Sequence, residues 1–171
     1  MLKEKMLNAL NEQINAEQYS ALLYLAMSAY FNDKGLPGFA NWMYIQYQEE
    51  LSHANKFFNY VAERGGKVKV SAIKQMPTEW DGIIDAYEAT LVHEQMVTGL
   101  INGLMDIAFA ESDHATQSFV RWFVDEQVEE EANVKEILDT LNLVGSQGNG
   151  IFMLDREMRQ RIFVDATQAA G

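Results

Sequence analysis

The chain has 171 residues, is 48% hydrophobic and carries a formal net charge of −12. That length is enough to bury a core, while the negative charge opposes binding to a nucleic-acid backbone and favours cationic partners. With no cysteine in the chain, disulfides, zinc–thiolate sites, iron–sulfur clusters and thiol nucleophiles are excluded.

The start, Met1-Leu2-Lys3-Glu4-Lys5-Met6, lacks the apolar core and cleavage site of a secretory signal, so a cytoplasmic location is expected. No stretch reaches the ~18 uncharged apolar residues of a membrane helix. Helix-period patterning predicts four long helices, at 3–32, 37–65, 82–111 and 114–143. Asp33-Lys34-Gly35-Leu36-Pro37 is a stop-and-restart signal with proline in the first turn of the second helix. Gly65-Gly66 is expected to end that helix, Asp81 to cap the third, Ser112 or Asp113 to cap the fourth, and Gly145 to close it. The short turns make the first pair antiparallel and likewise the second. The longer stretch 66–81 can run the length of the bundle as an extended crossover. Lys67-Val68-Lys69-Val70 alternates like a strand but has no partner. The expected fold is all-α, an up-down-down-up four-helix bundle of the ferritin-like kind with one long crossover. Bundle 3–143, a short fifth C-terminal helix at about 151–163 and a frayed tail at 166–171 make one domain over 1–171.

Each helix carries an apolar seam at alternating steps of three and four. The seams read Leu7, Leu10, Ile14, Glu17, Ala21, Tyr24, Ser28, Phe31; then Phe39, Met43, Gln46, Glu50, His53, Phe57, Tyr60. The third and fourth read Ile84, Tyr87, Leu91, Glu94, Thr98, Ile101, Met105 and Val120, Phe123, Gln127, Glu130, Val134, Ile137, Leu141. Every seam is interrupted near its middle by an ionisable group. Glu17 and Glu50 both fall ~20 Å from the first turn at ~1.5 Å per residue, and Glu94 and Glu130 lie similarly far from the turn between helices three and four. One such acid is ordinarily a helix-edge residue that reaches water. Four at one level, with no Lys or Arg at the matching seam positions, need counter-charge, which two divalent cations supply. With His53 as nitrogen donor, the oxygen-rich set suits iron or manganese.

Glu17, Glu50-Leu-Ser-His53, Glu94 and Gln127-Val-Glu-Glu130 together resemble the ferroxidase centre of the bacterial non-haem ferritins. The resemblance covers nearly the whole chain, including Asn11-Glu12-Gln13 and the stretch from Trp122 through Glu131. Bacterioferritins carry a second Glu-x-x-His where this chain has Gln127-x-x-Glu130, and a haem-ligating Met where it has Leu51, so no haem is expected. Rubrerythrins add a cysteine-ligated iron domain, and mini-ferritins place their site between subunits at other positions.

The resemblance implies iron storage, with Fe(II) oxidised at a di-iron centre by O2 or H2O2 and Fe(III) mineral deposited inside a hollow homo-oligomeric cage of 24 subunits. It implies that Glu17, Glu50 and His53 hold the first iron, with Glu50 bridging, and that Glu94 and Glu130 hold the second. Gln127 would sit near both. Glu49, Glu126 and Glu129, with Glu130, look like the family's third iron site, although acids beside a seam also serve as a solvated face. Tyr24, two turns from Glu17 on the same seam, either orients a carboxylate, supplies an electron or is a core aromatic whose hydroxyl finds a partner. Trp122 is assigned a packing role. His93 and His114 fall off the seams and are expected as surface or contact residues. The competing readings are a di-iron oxidase or peroxidase that retains its metal, and a bundle in which metal only stabilises the fold.

Overall fold

The computed structural model describes residues 1–145 and 148–168. Helices α1 (Glu4–Asp33), α2 (Pro37–Glu63), α3 (Ile83–Ala110), α4 (His114–Val144) and α5 (Asn149–Met158) follow in order, with a 3-10 turn at Ala166–Gln168. Helix α1 packs along α2, and α3 along α4. Two apolar clusters fix the topology. One joins Phe31 at the end of α1, Phe39 at the start of α2, Tyr87 at the start of α3 and Leu141 at the end of α4. The other joins Leu10, Phe57, Ile101 and Val120 from the opposite ends. Helices α2 and α3 therefore run parallel, as a long crossover requires. Among the described residues no helix is long and apolar enough to cross a membrane.

The crossover lies against α1. Asn11 accepts from the Lys69 backbone N–H at 2.6 Å and donates to the Lys67 carbonyl at 3.1 Å, while the Tyr30 hydroxyl donates to the Trp80 carbonyl at 2.9 Å. Side chains of α1, rather than a partner strand, thus satisfy the extended backbone at 67–69.

Helix ends follow local chemistry. Gly65, at φ +70°, and Gly66 turn their N–H groups back onto the Ala62 and Val61 carbonyls and end α2. Asp113 caps α4 by accepting from the Thr116 N–H at 3.1 Å, and Arg64 grips the same carboxylate at 3.0 Å. Gly145, at φ +74°, closes α4. Asp81 does not cap α3. The cap position belongs to Gly82, and the Asp81 N–H instead donates to Asp85 in the first turn at 2.8 Å.

Every seam differs from expectation at one or more positions. In α1 Met6, and in α2 Val61, is buried where Leu7 and Tyr60 were expected, and those two are only partly buried. In α3 the buried stripe is Ile83, Tyr87, Thr90, Glu94, Val97, Ile101, Leu104, Ala108. Ile84, Leu91, Thr98 and Met105 are only partly buried. Tyr87, Glu94 and Ile101 belong to both stripes, and contact of α3 with α1 as well as α4 rotates the buried face by one residue. In α4, Leu138 is buried where Ile137 was expected to be, and Ile137 is partly buried. The fifth helix ends at Met158, short of 163, because Asn41 on α2 donates at 3.0 Å to both the Met158 and Arg161 carbonyls and draws the chain onto α2. Of the stretch expected to fray, Ala166–Gln168 pack on α2, and residues 169–171 lie outside the described residues.

Candidate metal centre

The two apolar clusters do not merge; a buried polar layer separates them. On α1 it falls between Ile14 and Leu23, on α2 between Met43 and Phe57, on α3 between Tyr87 and Val97, and on α4 between Phe123 and Val134. Within it Glu17, Gln46, Glu50, His53, Glu94, Gln127 and Glu130 are each 5% exposed or less. An apolar side chain in such a place would stabilise the fold by about 1.5–3 kcal/mol, whereas a carboxylate there costs free energy unless it is paired or protonated.

Glu17, Glu50 and His53 come together, with one ligand atom from each within 4.8 Å of the others. Their arrangement follows from the helices: Glu50 and His53 are a turn apart on α2, and Glu17 faces them from the antiparallel α1. Glu50 Oε2 lies 3.5 Å from His53 Nδ1. Glu17 Oε1 accepts from Gln13 at 2.9 Å, but Glu17 Oε2 and Glu50 Oε2 have no hydrogen-bond partner and no access to solvent. Orphaned acceptors of this kind fit a cation between them. The His53 ring packs in T-shaped contacts with Trp122 and Phe123 at centroid distances of 5.5 and 5.8 Å.

Glu94 and Glu130 do not join that group in the structure; each is engaged by neutral donors. The Tyr24 hydroxyl donates to Glu94 Oε1, and Gln127 Nε2 donates to Glu94 Oε2 at 3.1 Å and to the Glu94 carbonyl at 3.2 Å. Gln46 Nε2 donates to Glu130 Oε2 at 2.8 Å, leaving its own Oε1 buried without a partner. This contact suits a carboxylate-orienting Tyr24 and a core aromatic whose hydroxyl finds a partner alike.

Burial raises the carboxyl pKa values throughout. Glu17 and Glu50 are pushed well above the ordinary value of 4.5, first by desolvation and then by like charge, Glu50 on Glu17 and Glu94 with Glu130 on Glu50. Glu94 rises from desolvation despite its hydrogen bonds, and Glu130 rises to about 8 from desolvation and the charge of Glu94. Mutual repulsion places Glu50, Glu94 and Glu130 within electrostatic reach of one another. Acids whose pKa burial raises bind protons more readily, and cations compete with those protons for the same oxygens.

The acids expected beside the centre are placed unequally. Glu49 is partly buried and bound to Arg161 at 2.6 Å. Glu126 is partly buried, 3.9 Å from His53 Nε2. Desolvation raises both. Glu129 is exposed.

His93, expected as a surface or contact residue, is a buried contact residue, 2.8 Å from Ser20 Oγ, with its pKa lowered to about 4, first by burial. The rotated α3 stripe is the reason, since it turns Ala86, Thr90, His93 and Val97 inward together. His114 is exposed, as expected. Gln13, Gln46 and Arg161 were missed as site residues. Gln46 stood on the α2 seam as a polar interruption, which was signal enough; Arg161 gave none, because only the tertiary fold brings it to Glu49.

A family model for the ferritin-like domain matches residues 7–144. The chain belongs to the ferritin family. A bacterial non-heme ferritin of Bacteroides fragilis is 47% identical over 161 residues, covering 94% of this chain and all of that protein. One from Staphylococcus saprophyticus is 40% identical over 95% of this chain and 98% of its own length. Among solved structures, an engineered closed form of the Archaeoglobus fulgidus ferritin superposes with a TM-score of 0.94 at 49% identity, over 96% of this chain and all of that one. The open-pore ferritin of the same archaeon gives a TM-score of 0.93 at 49% identity, over 95% of this chain and all of that one. Iron is the metal this ferritin handles, and iron storage with ferroxidase activity is its function.

Proposed function

We propose that Fe(II) is oxidised in pairs at the polar layer between the two apolar clusters. Glu17, Glu50 and His53 take one iron; Glu94 and Glu130 take the other, with Glu50 between them. The observation that carries this is the set of four buried carboxylates, one from each long helix, with unpartnered oxygens on Glu17 and Glu50. Two divalent cations balance the four charges. Burial raises the pKa of Glu17, Glu50, Glu94 and Glu130, and cations would lower it again, so their arrival releases protons from the layer.

A pair of Fe(II) ions supplies two electrons to one O2, which leaves with two protons as hydrogen peroxide, so no one-electron step to superoxide is required. H2O2 can accept two electrons in the same way and leave as water. Tyr24 and Gln127 hold Glu94, and Gln46 holds Glu130, so the second pair of carboxylates is positioned by neutral donors that do not compete as charges. With no histidine on that side, the second iron is held by oxygen alone and is the freer to leave. Glu49, Glu126 and Glu129, with Glu130, form a third iron site on the way out. We further take residues 1–171 as one domain that assembles with copies of itself into a hollow 24-subunit cage in the cytoplasm, where Fe(III) accumulates as mineral.

Rapid mixing of the metal-free protein with Fe(II) in air tests the proposal. Fast oxidation should saturate at two iron ions per chain with one O2 consumed per pair, followed by slower loading far beyond two. Uptake that stops at two, or one O2 consumed per iron, contradicts it.

A further inference from the structure

We infer that Arg161 is a built-in counter-cation for Glu49, so that a metal ion reaching the third site must displace it. The inference rests on the third-site reading above. The segment after α5 folds back onto α2 and delivers Arg161 to a residue 112 positions earlier in the chain, with Nη2 at 2.6 Å from Glu49 Oε2. The guanidinium is held independently of that carboxylate. Its Nη1 donates to the Trp42 carbonyl at 3.3 Å, and its carbon lies 4.8 Å from the centre of the Trp42 ring. Its backbone is fixed by the bond from Asn41 at 3.0 Å.

Arginine stays charged at any working pH, and a short charge-assisted bond to a partly buried carboxylate is a real competitor for a cation. Glu49 is the one acid of the proposed third-site set with such a partner. Glu126 lies 3.9 Å from His53 Nε2, and Lys56, 3.7 Å from the centre of the Trp122 ring, offsets only part of the desolvation that raises the Glu126 pKa. Arg161 therefore sets the affinity of the third site below that of the paired centre, and does so from the C-terminal segment. It is a positioning and competing residue, not one that touches the paired iron.

Calorimetric titration with Zn2+ alone, on the metal-free assembled full chain, tests this in wild type, Arg161→Gln, Arg161→Lys and Glu49→Gln. Wild type should bind two ions tightly and a third weakly. Glu49→Gln should lose the third and keep the first two. Arg161→Gln should bind the third about three- to tenfold more tightly, the scale of one partly exposed ion pair, with the first two unchanged. Arg161→Lys keeps the charge but not the fork and should fall between; if Arg161→Gln fails to assemble, this variant decides. Third-ion affinity equal to wild type in the Arg161 variants, while Glu49→Gln still loses that ion, overturns the role of Arg161 and leaves the third site standing. A third ion absent from wild type, or untouched by Glu49→Gln, overturns the third-site reading itself.

Discussion

Glu94 accepts hydrogen bonds from Tyr24 and Gln127 on its two oxygens, so it is already aimed before any iron arrives. Removing it would take away half of the proposed oxygen-only site. Glu94→Ala should therefore slow Fe(II) oxidation by at least about a hundredfold while the helices stay folded, since a buried acid is being deleted from an apo core that gains little from it. Tyr24→Phe keeps the ring and removes only the hydroxyl. We expect it to slow oxidation about ten- to hundredfold, the usual effect of losing a group that orients a metal ligand. Stopped-flow oxidation rates, with circular dichroism as the folding control, check both. A wild-type rate in Glu94→Ala would remove that residue from the paired centre. The raised acids also give a pH dependence whose sign is fixed. In the metal-free fold Glu130 keeps its proton up to about 8, against 4.5 for the ordinary group. The folded state thus binds more protons than the unfolded one across that window, and this contribution to stability is lost as pH rises through it. Melting of the metal-free protein should become easier from about pH 5 to about pH 8, and anaerobic Fe(II) should remove most of that slope. A slope unaffected by Fe(II) would contradict the exchange of protons for metal.

At the scale of elements, α5 is held by a carboxylate acting across the chain. Asp155 is buried and accepts from the N–H groups of Gly38 and Phe39 at 2.6 and 3.2 Å, capping α2 from a helix 117 residues away. A Cβ at Gly38 would run into the Asp155 backbone, so the close approach requires glycine there. Asp155→Ala should cost about 1–3 kcal/mol, the range for a lost cap that leaves buried donors unmet, and should loosen α5 in hydrogen exchange before α1 to α4. Unchanged exchange in α5 would refute this anchoring. The elements also show what the sequence could reveal. The four long helices, their turns and the crossover were legible because helical periodicity and glycine or proline punctuation are local. The α3 stripe was misread by one residue because Ile83/Ile84, Thr90/Leu91 and Val97/Thr98 offer two seams of similar polarity, and only contact with α1 chooses between them. The same choice decides that His93 is a buried contact rather than a surface residue. Glu17, Glu50, His53, Glu94, Gln127 and Glu130 stood out as polar breaks in apolar seams. Arg161 and Asp155 did not, since their partners are more than a hundred residues away.

In the whole molecule, the polar layer divides what would be one continuous core into two. This sacrifices apolar burial at the middle of every long helix, a loss that the proposed filling of the layer by cations would offset. Around it, α2 carries Glu49, Glu50 and His53 together, so the paired centre and the proposed third site share one helix, with Arg161 from the C-terminal segment set against it. Assembly into a cage belongs to the same scale: gel filtration should show a particle far larger than the 19.4 kDa chain, and a monomer would refute the cage. The most direct test of the central claim is a crystal of the protein soaked anaerobically with Fe(II), with anomalous differences measured at the iron edge. Two peaks about 3.5–4 Å apart are predicted in the polar layer, one against Glu17, Glu50 and His53 and the other against Glu94 and Glu130. A single peak, or iron bound only outside the layer, would contradict the account.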